Sequence, residues 1–90
     1  MKKNDYVYVL QCEGCLSTES FWDLESIFAT EEGAEQALKD AASNTIANID
    51  QYVDFENGYG VYEDDAYWEV RSDKWSDLYV RFFYDKVLVQ

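Results

Sequence analysis

The chain contains no histidine and no proline, and only seven of its 90 residues are lysine or arginine. Without histidine, the usual general base and the usual partner of a nucleophilic serine or cysteine are missing. Paired carboxylates could serve a glycosidase, but a domain of this size offers little room for a sugar cleft. We therefore predict a protein that is not an enzyme and that uses no cofactor.

Cysteine is also scarce, with Cys12 and Cys15 in the stretch QCEGC. A thioredoxin-type pair needs a helix N-terminus, whereas this pair falls in a predicted hairpin turn at Glu13-Gly14, where the carboxylate would raise a thiol pKa. A structural zinc site requires four ligands, usually Cys or His, and this chain has two cysteines and no histidine. We predict two small residues beside a turn and no metal, with a zinc shared by two chains as the alternative.

Long hydrophobic runs are absent. The N-terminal segment MKKNDYVYVLQCEG holds a five-residue apolar run, which is too short for a signal-peptide core or a membrane span. Hydrophobic residues nevertheless make up 48% of the chain and aromatic residues 18%, enough for a core without disulfides. We expect one compact domain over residues 1–90, cytoplasmic, with no membrane partner.

Periodicity predicts an α+β fold. Thr30 is the predicted N-cap of a helix that ends near Asp50, because small apolar residues recur there at helical spacing after an acidic first turn. In the second strand, alternation places Trp22, Leu24 and Phe28 on one face. We expect an antiparallel sheet with this one helix packed on one face. The predicted strands are Tyr6–Cys12, Phe21–Phe28, Tyr62–Arg71 and Leu78–Phe83, with Val87–Val89 continuing the last strand past a bend at 84–86 and a turn at Asn57-Gly58.

The charge is strongly and unevenly negative. The chain has nineteen acidic and seven basic residues, which give a net charge of −12 at pH 7. From Asp5 to Glu69 it has sixteen acidic residues and one basic residue, Lys39. Such a field repels nucleic acids and anionic membranes and attracts basic proteins. The expected partner is therefore a basic nucleic-acid-binding protein or ribonucleoprotein, without direct nucleic-acid binding.

The segment VDFENGYGVYEDDAYWE, residues 53–69, concentrates acids and aromatics. On a strand over Tyr62–Arg71, alternate acids would stand about 6.6 Å apart, a repeat of charge comparable with that of nucleic-acid phosphates. The acids could then occupy a groove that binds nucleic acid, with the aromatics replacing base stacking. The predicted charge contacts are Asp54, Glu56, Glu63, Asp64, Asp65 and Glu69, and the predicted aromatic anchors are Tyr59, Tyr62 and Tyr67.

The order VYVL, IFATEEGAEQAL, GYGVYEDD resembles small uncharacterised proteins of phages and mobile elements over about the first two-thirds of the chain. In size and charge the chain is similar to phage-encoded inhibitors of host defence, including anti-CRISPR proteins, several of which are acidic and imitate DNA. The resemblance implies an inhibitor of a CRISPR-Cas-like complex in a bacterial host, and it carries over no functional residue.

A different class of function is a structural or homo-oligomeric module with an acidic, solubilising surface. Three Trp, eight Tyr and five Phe are more aromatic residues than one small core absorbs. A surplus patch could form a symmetric interface. A homodimer that buries Tyr62, Tyr67 and Trp68 would favour this alternative.

Overall fold

A computed structural model describes residues 5–75 and 77–89. Lys2 and Lys3 therefore lie outside the described residues, as does Ser76 in the predicted SDKWSD connection. The fold is α+β, with five antiparallel strands and one main helix, which confirms the prediction. The elements are β1 (Asp5–Cys15), β2 (Ser20–Phe28), α1 (Glu31–Ala47), short 3-10 helices at Ile49–Gln51 and Val53–Phe55, β3 (Tyr59–Asp64), β4 (Tyr67–Ser72) and β5 (Tyr79–Val89).

The strand order in the sheet is β2-β1-β5-β4-β3. β1 and β5 are paired along their full lengths, from Asp5 opposite Val89 to Cys15 opposite Tyr79. The β1–β2 hairpin and the β3–β4 hairpin therefore lie on either side of β5. The helix α1 carries the chain from the edge strand β2 across one face to the opposite edge strand β3.

The helix begins where the sequence predicts. The Thr30 hydroxyl oxygen accepts a hydrogen bond from the Gly33 backbone N–H at 3.1 Å, and Glu31 and Glu32 fill the first turn. The helix ends at Ala47, before the predicted Asp50, because the chain tightens into a 3-10 turn at Ile49–Gln51. No helix among residues 5–75 and 77–89 has both the length and the apolar composition to cross a membrane.

One face of the sheet, the covered face, packs against α1. Ala34, Leu38 and Ala42 are the buried apolar residues of the helix, and the small side chains of the two alanines allow a close approach. The covered face contributes Leu10, Cys12, Trp68, Val70, Val80, Phe82 and Tyr84 to the same core.

The predicted turn at Glu13-Gly14 is wrong. β1 continues through both residues to Cys15, and the chain reverses over residues 16–19, where the Leu16 N–H donates to the Glu19 carbonyl at 2.7 Å. Gly14 is buried opposite Phe21 in the β1–β2 pair, and a Cβ at this position would overlap the Phe21 ring. Glycine at this position thus allows the Phe21 ring to pack closely against the β1 backbone and does not form a turn.

The predicted facing of the second strand is also wrong. The pairing of β1 with β2 shifts register between Leu10 and Gln11, which places a bulge at Glu25. A bulge adds one residue and reverses the alternation beyond it. Phe28 therefore packs on the core, whereas Trp22 and Leu24 project from the other side of the sheet.

We call that other side the open face, since α1 lies on the opposite side of the sheet. By strand register, its members from the inner strands include Gln11, Glu13, Arg81 and Phe83. The edge hairpins add Trp22, Leu24, Ile27, Tyr62, Tyr67, Glu69 and Arg71.

The predicted strand Tyr62–Arg71 is in fact a hairpin. The chain turns at Asp65-Ala66, so that Tyr62 of β3 lies opposite Glu69 of β4. The bend predicted at 84–86 is absent because these residues stay paired with β1, and β5 is continuous. The turn at Asn57-Gly58 is confirmed, with Gly58 at a φ of 110°, a conformation that favours glycine.

Candidate partner-binding groove

A groove of about 810 Å3 lies between α1 and the edge hairpin β3–β4. It forms because α1 packs mainly on β1, β2, β4 and β5, so that the covered side of β3 lies beside the helix rather than beneath it. Leu38, Ala42 and Ile46 line the helical wall, while Val61 and Trp68 line the sheet side. The lining is thus largely apolar, as is typical of ligand and peptide sites.

Four carboxylates border this groove. Glu63, Asp64 and Asp65 come from the hairpin and Glu35 from the helix. The Asp64 carboxylate accepts a hydrogen bond from the Asp65 backbone N–H at 2.8 Å, which orders the turn. The cation among the lining residues, Lys39, lies 3.9 Å from Glu35 with both side chains largely exposed, a geometry that contributes little. We call Glu35, Glu63, Asp64 and Asp65 the acidic rim.

The described lysines and arginines do not neutralise the three rim carboxylates of the hairpin. Apart from Lys39, each described cation lies over an aromatic ring, at 4.1 to 5.4 Å from its centroid. Within the described residues, Glu63, Asp64 and Asp65 form no ion pair. The pairs are Arg71 over Tyr62, Lys74 over Trp75, Arg81 over Tyr79 and Lys86 over Tyr6.

Glu69 is an internal group, so its predicted role as a partner contact is wrong. Glu69 is 2% exposed, and its carboxylate accepts hydrogen bonds from the Tyr67 hydroxyl and from Arg71 Nε, the latter at 3.0 Å. Burial, followed by the bond to the Glu69 carboxylate, raises the pKa of Tyr67 to about 12. Tyr67 therefore remains a neutral donor at physiological pH and holds the buried carboxylate in place.

Asp54 is likewise in the interior, which corrects its predicted role in charge contacts. It is 5% exposed, and its Oδ1 accepts a hydrogen bond from the Ser17 backbone N–H at 3.1 Å. Asp54 and Glu56 line a separate cavity of about 400 Å3. The exposed Tyr59 begins β3, at the end of the strand away from the turn, and also lies outside the groove lining.

The groove therefore gathers four of the nine predicted site residues, namely Glu63, Asp64, Asp65 and Tyr67. The regular row of carboxylates predicted along one strand does not exist, because Glu63 lies on the covered side of β3, Glu69 lies on the open face of β4, and Asp65 is in the turn between them. Sequence reasoning missed the helical wall. Glu35, Leu38, Ala42 and Ile46 follow one another at spacings of three and four, but that pattern does not indicate which strand lies beside them.

The two cysteines point to opposite sides of the sheet. Cys12 is buried on the covered face, and Cys15, three residues later in the same strand, is half-buried on the open side. Two thiols on opposite faces cannot ligate one ion together. Burial, with the nearby Glu25 and Asp23 carboxylates adding to it, raises the pKa of the Cys12 thiol to about 12.

Cys12 is expected to resist alkylation in the native protein. With a pKa of about 12, only about one thiol in ten thousand is ionised at pH 8, and the thiolate is the reactive form. Mass spectrometry after iodoacetamide treatment at pH 8 should show modification at Cys15 alone, and at both residues in urea. The variant Cys15→Ser should remain unmodified when native. Rapid native labelling of that variant would contradict the burial of Cys12.

The described residues contain no group of three or more Cys, Asp or Glu side chains arranged to hold a metal ion. No known protein family matches this sequence, and no curated protein or solved structure is significantly similar to it. The groove, an apolar channel with an acidic rim, is therefore the feature of the molecule that points to a function.

Proposed function

We propose that this protein is a non-enzymatic inhibitor that binds a basic, nucleic-acid-binding surface of another protein or ribonucleoprotein. The observation that carries the proposal is the uncompensated acidic rim beside an apolar groove. Carboxylates attract and orient a cationic surface, and the apolar lining accepts the aliphatic parts of lysine and arginine side chains. A partner that combines basic and apolar groups satisfies both features.

The distribution of the chain's own cations supports the same proposal. Arg71 and Arg81 interact with Glu69 and Glu13, and their guanidinium groups also lie over tyrosine rings. The rest of the acidic surface is left to act outward, where it accelerates encounter with a positive partner. Such a surface would disfavour direct binding to nucleic acid.

The resemblance to acidic phage-encoded inhibitors suggests the biological target. We propose that the partner is a host-defence complex of the CRISPR-Cas type in the bacterial cytoplasm, and that the protein denies the target nucleic acid access to its binding channel. Imitation of DNA by a regular row of charge is not required, because the rim is a cluster at a hairpin turn beside a helix.

Competition binding tests this function. Purified RNA-guided effector complexes would be incubated with labelled duplex DNA and increasing amounts of the protein, across a series of salt concentrations. We expect displacement of DNA that weakens as salt rises, because salt screens charge pairs at the rim of an interface. Binding that tolerates bound DNA and is indifferent to salt would refute the proposed mechanism.

A further inference from the structure

The open face of the sheet carries an apolar surface that belongs neither to the core nor to the groove. Its most exposed members lie on the edge strand β2, where Trp22 is 57% and Ile27 is 56% exposed, with Leu24 between them. The register places Val9 beside Ile27 and Gln11 beside Leu24, and Val7 lies opposite Val87. These side chains, with the exposed Val87 and Val89 of β5, form one patch across three adjacent strands.

An antiparallel sheet with one solvated face normally has polar residues at its outward positions. Within this patch most of those positions hold valine, leucine, isoleucine or tryptophan, the pattern of a face covered by another layer. The chain's own helix lies on the opposite side. A further layer would therefore come from outside this chain.

We infer that this face is the interface with a second copy of the same chain, packed sheet against sheet around a two-fold axis. Each copy carries a net charge of −12, so two copies meet at least cost through their least charged surfaces. The carboxylates that the register places on the patch are Asp5, opposite Val89, and Asp85, opposite Val9. Gln11 donates to the Asp85 carboxylate at 2.8 Å and accepts from the Trp22 indole N–H at 3.0 Å.

At the centre of the open face, two carboxylates are paired with arginines. Arg81 donates to the Glu13 carboxylate at 3.1 Å, and the buried Glu69 is held by Tyr67 and Arg71. Asp64 and Asp65 of the acidic rim, at the turn of the β3–β4 hairpin, also line a cavity of about 440 Å3 on the open side with Glu13 and Arg81. The second copy is therefore assigned to the apolar patch on β2, β1 and β5, and the basic partner to the groove.

The size of the face agrees with a dimer. With about 4.8 Å between strands and about 3.4 Å per residue, the five strands present a face of roughly 700 Å2, close to the about 800 Å2 per partner of a typical stable interface. Sheets packed in this way interdigitate their inner side chains at a spacing of about 10 Å. Both grooves would remain exposed on the outer sides of the dimer.

Sedimentation velocity over a range of protein concentrations tests this interface. We expect a monomer–dimer equilibrium that tightens as salt is added, because salt screens repulsion between two acidic copies. The double variant Trp22→Glu/Ile27→Glu should weaken self-association at least about tenfold, since buried anchors dominate interface energies. Native tryptophan fluorescence should shift to the blue on dimerisation, and this shift should be lost in the same variant.

The matched control is Trp75→Glu/Val53→Glu, which places the same charges on exposed residues away from the open face. It should dimerise like the parent protein after the general effect of added charge is screened by salt. Circular dichroism checks that both variants are folded. A parent protein that stays monomeric at every concentration, a dimer that survives the Trp22 and Ile27 substitutions, or equal loss in the control would each overturn the inference.

Discussion

Reversing the charge of Glu63, Asp64 and Asp65 to lysine is expected to weaken binding of a basic amphipathic partner about 100-fold at low salt, or about 3 kcal/mol. Each exposed ion pair contributes up to about 1 kcal/mol, and reversal replaces attraction by repulsion. The three residues lie at the hairpin turn, and their side chains form no ion pair within the described residues. Their replacement removes one side-chain hydrogen bond, which Asp64 accepts in the turn, and circular dichroism should show that the variant stays folded.

The measurement uses a labelled synthetic peptide of lysine and leucine, whose basic and apolar faces match the rim and lining of the groove. Fluorescence anisotropy would be recorded for the parent and the variant at several salt concentrations. Glu19, Asp23 and Asp50 are exposed residues outside the groove lining, and their joint replacement by lysine changes the net charge equally. Equal losses in both variants would show that overall charge, rather than the groove, governs binding.

Partner binding in the groove and dimerisation through the open face are expected to respond to salt in opposite directions. Added salt weakens attraction between the acidic rim and a cationic partner, and it relieves repulsion between two acidic copies. A dimer would present two grooves facing away from each other, which permits bivalent attachment to a large partner or to two partners. One salt series therefore separates the two interactions.

Much of the fold could be predicted because local signals agreed with global packing. Thr30 followed by glutamates marks a helix start, and Asn57-Gly58 marks a turn, and both depend on short-range chemistry that the structure retains. The alanines at helical spacing correctly indicated a helix lying close to a sheet. These features need no knowledge of which strands are neighbours.

The errors arose where tertiary contacts override a local pattern. Gly14 looked like a turn residue, yet it makes space for the Phe21 ring across the β1–β2 pair. The turn at Asp65-Ala66 contains neither glycine nor proline, and without those markers the alternation of β3 appeared to continue into β4. The bulge at Glu25 is also invisible in sequence, and it decides that Trp22 faces outward.

The candidate site was only partly predictable for the same reason. The hairpin acids stood out by composition, but Glu69 and Asp54 have the same chemistry and are buried by pairing that sequence does not reveal. The helical wall of the groove could be identified only after the topology placed β3 at the edge beside α1. Composition thus predicted a basic partner, and the fold determines which acids are exposed to meet one.

Trp68→Ala should remove about 3 to 5 kcal/mol from the free energy of unfolding, a large part of the 5 to 15 kcal/mol typical of a domain. Trp68 is 5% exposed, and its ring lies 6.0 Å from that of Phe82 between the sheet and the helix. Because it also lines the groove, the variant should lose peptide binding as well as stability. Urea unfolding followed by far-UV circular dichroism measures the loss. The control Trp75→Ala, at an exposed residue, should change stability by about 0.5 kcal/mol, and equal losses in the two variants would contradict a core position for Trp68.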